Sequence, residues 1–358
     1  MTMALPAAAG AERPHHPLAH APALVLGILL ALLIAAALSA ATVGAAGIPL
    51  ERLPAALGFV AGDPATVERD RLVVWSIRLP RIAMAVMVGA LLAAGGTILQ
   101  GLFRNPLADP GLVGVSSGAA LAAAATIVLG DRLMPALPAE ALPVAAFAGA
   151  LIVTATLYRI ATNGGRTSIA MLLLGGLAIG ALAGALTGLL VFIADDRQLR
   201  DVTFWTLGSL SGATWAKAAT ILPFLLALVI ATPLLVRDLD RLALGEAEAF
   251  HLGTSVERLK RVAIVLVSAA VGAAVAVSGV IGFVGIIVPH LLRLIIGPGH
   301  RLLVPAALLL GPVLMLGADT LARVVVAPAE LPIGILTAIL GAPVFLGLLL
   351  RQRAQIGL

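Results

Sequence analysis

Between Gln100 and Gly111 the chain reads QGLFRNPLADPG, a polar interval broken by Pro106 and Pro110 and carrying Arg104, Asn105 and Asp109. Apolar sequence lies on both sides, GALLAAGGTIL over Gly89–Leu99 before it and LVGVSSGAALAAAATIVLG over Leu112–Gly130 after it. Each belongs to a run that could cross a bilayer, which takes about 20 predominantly apolar residues for a hydrocarbon core of roughly 30 Å. Proline cannot continue a helix and leaves carbonyls without partners. The interval therefore reads as non-helical backbone at a membrane boundary, a place that usually serves machinery.

The composition agrees with that reading: 61% of the 358 residues are hydrophobic, 11% are charged and the mean hydropathy is +1.10. Such a chain is an all-α, polytopic membrane protein with no room for a sizeable soluble domain. Apolar runs predict spans near 22–47, 79–103, 111–130, 141–161, 168–193, 215–236, 261–280, 282–297, 303–326 and 332–350, about ten in all. The first follows a polar tail and is long for a cleavable signal, so a retained helix is expected, although the small residues at Ala35–Ala41 leave cleavage open. The organisation expected is a tail over 1–21, one transmembrane domain over 22–353 and a short tail over 354–358.

Zero cysteines exclude disulfides, iron–sulfur clusters and thiolate metal sites, and the six histidines are too scattered to form a ligand cluster. His15, His16 and His20 fall in the polar tail. No metal site and no resident cofactor are expected on this chain.

Placing the N-terminus inside puts 13 Lys/Arg on the cytoplasmic side and 10 outside, with 7 and 11 acids respectively, giving +6 inside and −1 outside. This bias follows the positive-inside rule. The basic balance belongs to inner-face arginines, and no nucleic-acid partner is implied. Three outer arginines stand apart: Arg78 and Arg81 begin the second span and Arg323 lies near the end of the ninth. Interface anchoring is the plainer role; a basic patch for the carboxylates of an extracytoplasmic partner is the sharper one, because guanidinium pairs carboxylate in a bidentate way. Asp319, four residues before Arg323, could occupy part of it.

The longest polar interval between later spans, 237–261, is cytoplasmic and contains LALGEAEAFHLGTSVERLKR. Its Ala/Leu/Glu content favours short helices punctuated by Gly245 and Gly253, and Glu257 could pair with Arg261 along one face. It is either a solvated connector or a docking surface for a soluble subunit. A P-loop needs Gly-x-x-x-x-Gly-Lys-Ser/Thr to hold nucleotide phosphates, and the two lysines, Lys217 and Lys260, follow Ala216 and Leu259. The chain is thus not expected to be an enzyme, and ATP hydrolysis falls to another polypeptide. Ion-coupled carriers bury ionisable groups at mid-membrane, and these spans hold almost none.

Several long motifs carry a family resemblance. RLPR at Arg78–Arg81, GALLAAGGTILQGLFRNPLADPGLVGVSSGAA, LALGEAEAFHLG, SGVIGFVGIIVPHLLRLIIGPGHR and GADTLARVVVAPAELPIGILTAILGAPVFLGLLLRQR together resemble the permease subunits of ATP-binding-cassette importers for vitamin B12, ferric siderophores and haem. The resemblance runs from about residue 70 to 353. It implies ten spanning helices, a homodimer with a central translocation pathway, two ATPase subunits binding ATP and Mg2+ beneath, and a two-lobed periplasmic binding protein above. It places the chain in the bacterial inner membrane among lipid.

Carried over by motif, Arg78, Arg81 and Arg323 resemble the arginines that meet acidic residues of the binding protein. Gly245, Glu246, Ala249 and Leu252 resemble the coupling helix against the ATPase. Asn105, Pro106, Leu107 and Ala108 match the cytoplasmic gate loop, and Thr167 and Ser168 its companion constriction; the plainer role for NPLADP is a helix-ending turn. The segment Asp195–Trp215 resembles the haem-importing members most, with a short helix expected over Phe204–Leu210. Arg197, Arg200, Phe204 and Trp205 then form a possible substrate entrance, since haem is an apolar macrocycle with two carboxylates. Lipid-headgroup contact is an equal role for the two arginines. The expected function is haem import, with ferric-siderophore or cobalamin import next and an ion-coupled carrier last.

Overall fold

The computed structural model describes residues 21–44, 47–133, 138 and 140–356, and helices dominate it. The tail 1–20 with its histidines lies outside the described residues. The helices begin with α1 (Pro22–Thr42), α2 (Leu53–Leu57), α3 (Pro64–Val73) and α4 (Leu79–Phe103), with a π-helical turn over Val74–Arg78 joining α3 to α4. A 3-10 turn at Pro110–Val113 leads into α5 (Val115–Leu133), and α6 (Ala141–Ala161) is tied to α7 (Ile169–Ile193) by a hairpin of β1 (Thr162–Asn163) and β2 (Arg166–Thr167). Then come α8 (Asp196–Leu207), α9 (Trp215–Leu242), α10 (Glu246–His251), α11 (Val256–Ser278), α12 (Val284–Ile296), α13 (His300–Val324) and α14 (Ile333–Ile356).

Among the described residues seven helical stretches are long and apolar enough to cross a membrane: α1, the continuous α3–α4, α6, α7, α9, α11 and α13. Shorter apolar stretches lie in α5, α12 and α14. The protein is therefore a multi-pass helical membrane protein, and each apolar run read from the sequence contains a helix, the first of them over Pro22–Thr42. The ends differ from the apolar runs because helix continues into polar sequence. α9 runs on to Leu242, where Arg241 pairs with Asp238 at 3.1 Å, and α11 starts at Val256. At α8 the difference has a local cause. Asp195 accepts the Gln198 N–H at 2.8 Å and the Gln198 side chain accepts the Asp195 N–H at 3.2 Å, a capping box that starts the helix well before Phe204. Gly208, at φ +70°, ends it where only glycine turns without strain.

α4 is the axis of the fold. Its apolar window is 83% buried, against 17% for α1 and for α7. α13, α11, α12 and α9 pack around it, and small residues set their approach. A Cβ on Gly89 would lie 2.7 Å from the Gly311 carbonyl oxygen of α13, and one on Gly96 would drive into Gly285 of α12. The Gly176–Gly180–Gly184 spacing is less used: Gly176 abuts the Leu112 carbonyl, whereas Gly184 meets nothing within 4 Å. α7 instead leaves Leu174, Leu177, Leu189 and Phe192 exposed in the isolated chain.

Candidate functional site

The outer arginines are side chains of the α4 entrance and the last turn of α13, and the fold brings all three together around the end of α1. Arg81 is buried and donates from Nε to both oxygens of Asp319 at 2.9 and 3.1 Å, and from Nη1 to the Glu330 carboxylate at 2.9 and 3.0 Å. Arg323 Nε lies 3.2 Å from Asp319, the helical pairing read from the sequence. Its Nη1 donates to the Val43 carbonyl at 2.8 Å and its Nη2 to the Ala40 carbonyl at 3.2 Å. Arg78, 4% exposed, donates to the Ala41 carbonyl. α1 has no basic residue in its own last turn, so two arginines from elsewhere cap the carbonyls that every helix end leaves unpaired. Asp319 and Glu330 face these guanidinium groups, the buried Asp70 is paired with Arg52 and close enough to Arg78 to act on its charge, and Glu330 is the exposed carboxylate. Glu330 was not found from sequence, because nothing local links it to Arg81.

The loop after α4 is stiff without being helical. Arg104 ends α4 at φ +49°, Asn105 Oδ1 accepts the Leu107 N–H at 2.9 Å, and the Ala108 N–H donates to the Asn105 carbonyl at 3.1 Å. Asp109 Oδ1 accepts the Gly111 N–H at 2.8 Å and so starts the 3-10 turn. Burial pushes the Asp109 carboxyl above the ordinary carboxylate range, and the Gly111 N–H pulls weakly the other way. Ala108 is fully buried, while Asn105 and Leu107 are half-buried. Nearby, Gln100 of α4 accepts a hydrogen bond from Arg293 and donates to the Gly285 carbonyl at 2.9 Å, fastening α12 beside the loop.

Thr167 and Ser168 lie on β2 and at the start of α7, where Ser168 Oγ accepts the Met171 N–H at 3.3 Å. The buried Thr167 is held by α11: its N–H donates to Glu257 Oε2 at 2.9 Å and its carbonyl accepts from Lys260 Nζ at 3.0 Å. Lys260 also reaches Glu246 at 2.9 Å and Glu257 at 3.0 Å. The Glu257–Arg261 pair expected from sequence is thus replaced by Glu257–Lys260, and Arg261 turns to Tyr158. Lys260 escaped the sequence reading, since a lysine beside glutamates looks like a solvated helix face.

Gly245, at φ +129°, turns the chain into α10. Ala249 is fully buried beneath the helix, while Leu244, Phe250 and Leu252 are 65%, 70% and 52% exposed, beside the exposed Glu248 and His251. α8 displays Arg197, paired loosely with Asp201 at 3.8 Å, together with exposed Arg200 and Phe204. Trp205 is half-buried against the core and less available than Phe204.

A family model described as the FecCD transport family matches residues 21–351. The chain is 46% identical over 334 residues to the hemin transport system permease protein HmuU of Yersinia pestis, covering 93% of this chain and 97% of that protein. It is 45% identical over 289 residues to the cobalamin import system permease protein BtuC of Halobacterium salinarum, covering 80% of this chain and 75% of that one. Against the vitamin B12 import system permease protein BtuC of Salmonella typhimurium it is 41% identical over 287 residues, with 79% and 85% covered. Among solved structures, an inward-facing conformation of a metal-chelate type ABC transporter matches with a TM-score of 0.79 at 34% identity, covering 92% of this chain and 99% of that one.

Proposed function

Because the chain belongs to the FecCD transport family, we propose that it is the membrane-spanning permease subunit of an ATP-driven importer, passing haem from a periplasmic binding protein into the cytoplasm. The observation that carries haem over other cargo is the 46% identity to a hemin permease along 97% of that protein's length. A cobalamin permease is the second reading, favoured by the 45% identity to the H. salinarum protein.

In this reading the seven long apolar helices and the three shorter ones make ten crossings of a bacterial inner membrane, and two copies enclose the pathway. The binding protein sits over Arg78, Arg81 and Arg323, beside the exposed Glu330. A partner carboxylate there makes charge-assisted bonds stronger than the backbone carbonyls do. The two haem carboxylates pass Arg197 and Arg200, with Phe204 beside them. At the inner end Asn105, Leu107 and Ala108 shape one side of the gate, and Thr167 and Ser168 the other. The loop satisfies its own amides through Asn105 and Asp109, so it can stand beside a water-filled cavity. ATPase subunits, which carry the nucleotide and Mg2+, dock on Gly245–Leu252 through the exposed Phe250 and Leu252.

The test is reconstitution of the chain with its ATPase and binding protein in liposomes, followed by ATP-dependent uptake of haemin, cobalamin and a ferric siderophore measured side by side. Haemin uptake that stops without ATP is the expected result. Cobalamin uptake without haemin uptake would replace the cargo, and uptake that survives loss of the ATPase but collapses with the ion gradient would replace the mechanism.

A further inference from the structure

We propose that Lys260 is the link that carries movement of the ATPase-docking helix α10 to the gate at Thr167; this rests on the gate and docking roles given above. Lys260 stands near the cytoplasmic start of α11 and is 2% exposed. An ammonium has three N–H donors and no acceptor, and all three donors find partners: the Thr167 carbonyl at 3.0 Å, the Glu246 carboxylate at 2.9 Å and Glu257 Oε1 at 3.0 Å. Each acceptor sits on a different element. Thr167 is on the hairpin strand, Glu246 is the first residue of α10, and Glu257 is on α11 itself.

The connection grips backbone on the gate side. Glu257 Oε2 takes the Thr167 N–H at 2.9 Å while Lys260 takes the Thr167 carbonyl, so both polar groups of that residue are held from α11. On the docking side the grip is a charge pair on the first turn of α10, whose buried Ala249 seats the helix against the body. A desolvated ammonium has no alternative partner in water, so it follows its carboxylates. A shift of α10 must either carry Lys260 and the Thr167 peptide along or break the Lys260–Glu246 pair, whose ammonium is buried while its carboxylate is 43% exposed. Rigid contacts of this kind convert a small displacement into a switch between two packings.

The experiment uses the reconstituted complex with its ATPase and binding protein, with Lys260→Gln, Lys260→Arg and wild type compared. One readout is haemin imported per ATP hydrolysed. The second is the distance between spin labels at Ser168 in the two copies, with and without ATP. Lys260→Gln is expected to keep hydrolysing ATP while haemin per ATP falls about fivefold or more, as loss of a site-to-site coupling gives, and the ATP-driven change at Ser168 disappears. Lys260→Arg, which keeps the charge, restores both. A Lys260→Gln complex with the wild-type ratio and the wild-type change at Ser168 overturns the link and leaves the gate standing. A wild-type complex that imports haemin with no ATP-driven change at Ser168 overturns the gate reading itself. Should Lys260→Gln fail to assemble, Glu257→Gln supplies the same two readouts, since it keeps the shape and the acceptor for Thr167 but weakens the hold on Lys260.

Discussion

Glu330 holds Arg81 from the exposed side of the outer cluster, where an acidic partner would compete with it. Glu330→Gln keeps an acceptor for Arg81 Nη1 and removes one negative charge from the surface. Binding-protein affinity, measured at low salt by surface plasmon resonance or titration calorimetry, is expected to rise by up to about fivefold, the worth of an exposed ion pair of roughly 0.2–1 kcal/mol. At Asp109 the folded protein holds the proton more tightly than the unfolded chain does. The stability this group contributes is fully present below its unfolded value of about 3.9, and it is lost as pH rises through the higher folded value. Asp109→Asn keeps an acceptor for the Gly111 N–H and cannot ionise. Its unfolding midpoint in detergent is expected to match wild type at pH 3 and to exceed it at pH 7. Legibility at this scale followed sequence distance. Asp319 and Arg323 share a helical face and were paired from spacing alone. Arg81 meets Asp319 across 238 residues and Lys260 meets Thr167 across 93, and such pairs are decided by packing that one sequence does not display.

Among the elements, α4 and α13 touch where glycine faces glycine. Gly311→Ala puts a methyl group against Gly89 backbone and Ala93, and neither can yield without moving a helix. The expected cost is about 1–3 kcal/mol, as for an overpacked core, visible as a lower unfolding midpoint. α10 behaves differently, because its exposed Phe250 meets the neighbouring His251 ring edge-on and lies outside the buried core. Phe250→Asp should change permease stability by no more than about 0.5 kcal/mol, while its affinity for the ATPase falls by about 2 kcal/mol, roughly thirtyfold, if Phe250 anchors the interface; co-purification with the ATPase and a thermal scan separate the two effects. The helices themselves were legible because a bilayer crossing demands uninterrupted apolar sequence. Their ends were not, since Asp238 and Arg241 leave the apolar pattern yet continue α9. The helix α8 was misplaced for a related reason: its start lies in the Asp195–Gln198 cap, and its aromatic half alone does not reveal it.

For the whole molecule, the proposed docking face depends on charge. Reversing Arg78 and Arg323 to Glu is expected to weaken binding-protein association by tenfold or more while ATPase assembly persists, with the largest loss at low salt, where the screening length grows from about 8 Å toward 30 Å. An affinity unchanged at low salt removes these residues from the interface. The family architecture was legible from long motifs spread over most of the chain, whereas the embrace of α1 by the same arginines was not, because it joins backbone carbonyls to side chains that packing alone brings near, Arg78 across 37 residues and Arg323 across 280. That embrace has a consequence for how a partner leaves. A visiting carboxylate that draws Arg78 and Arg323 outward strips the end of α1 of its donors, so arrival is an exchange of one set of bonds for another and its net gain is small. If the binding protein docks there as proposed, the docked state is shallow, and a carrier that must unload and return for more is not trapped. The strain of each visit should be readable at the Thr42 and Val43 amides, which would trade hydrogen for deuterium faster while the partner is seated.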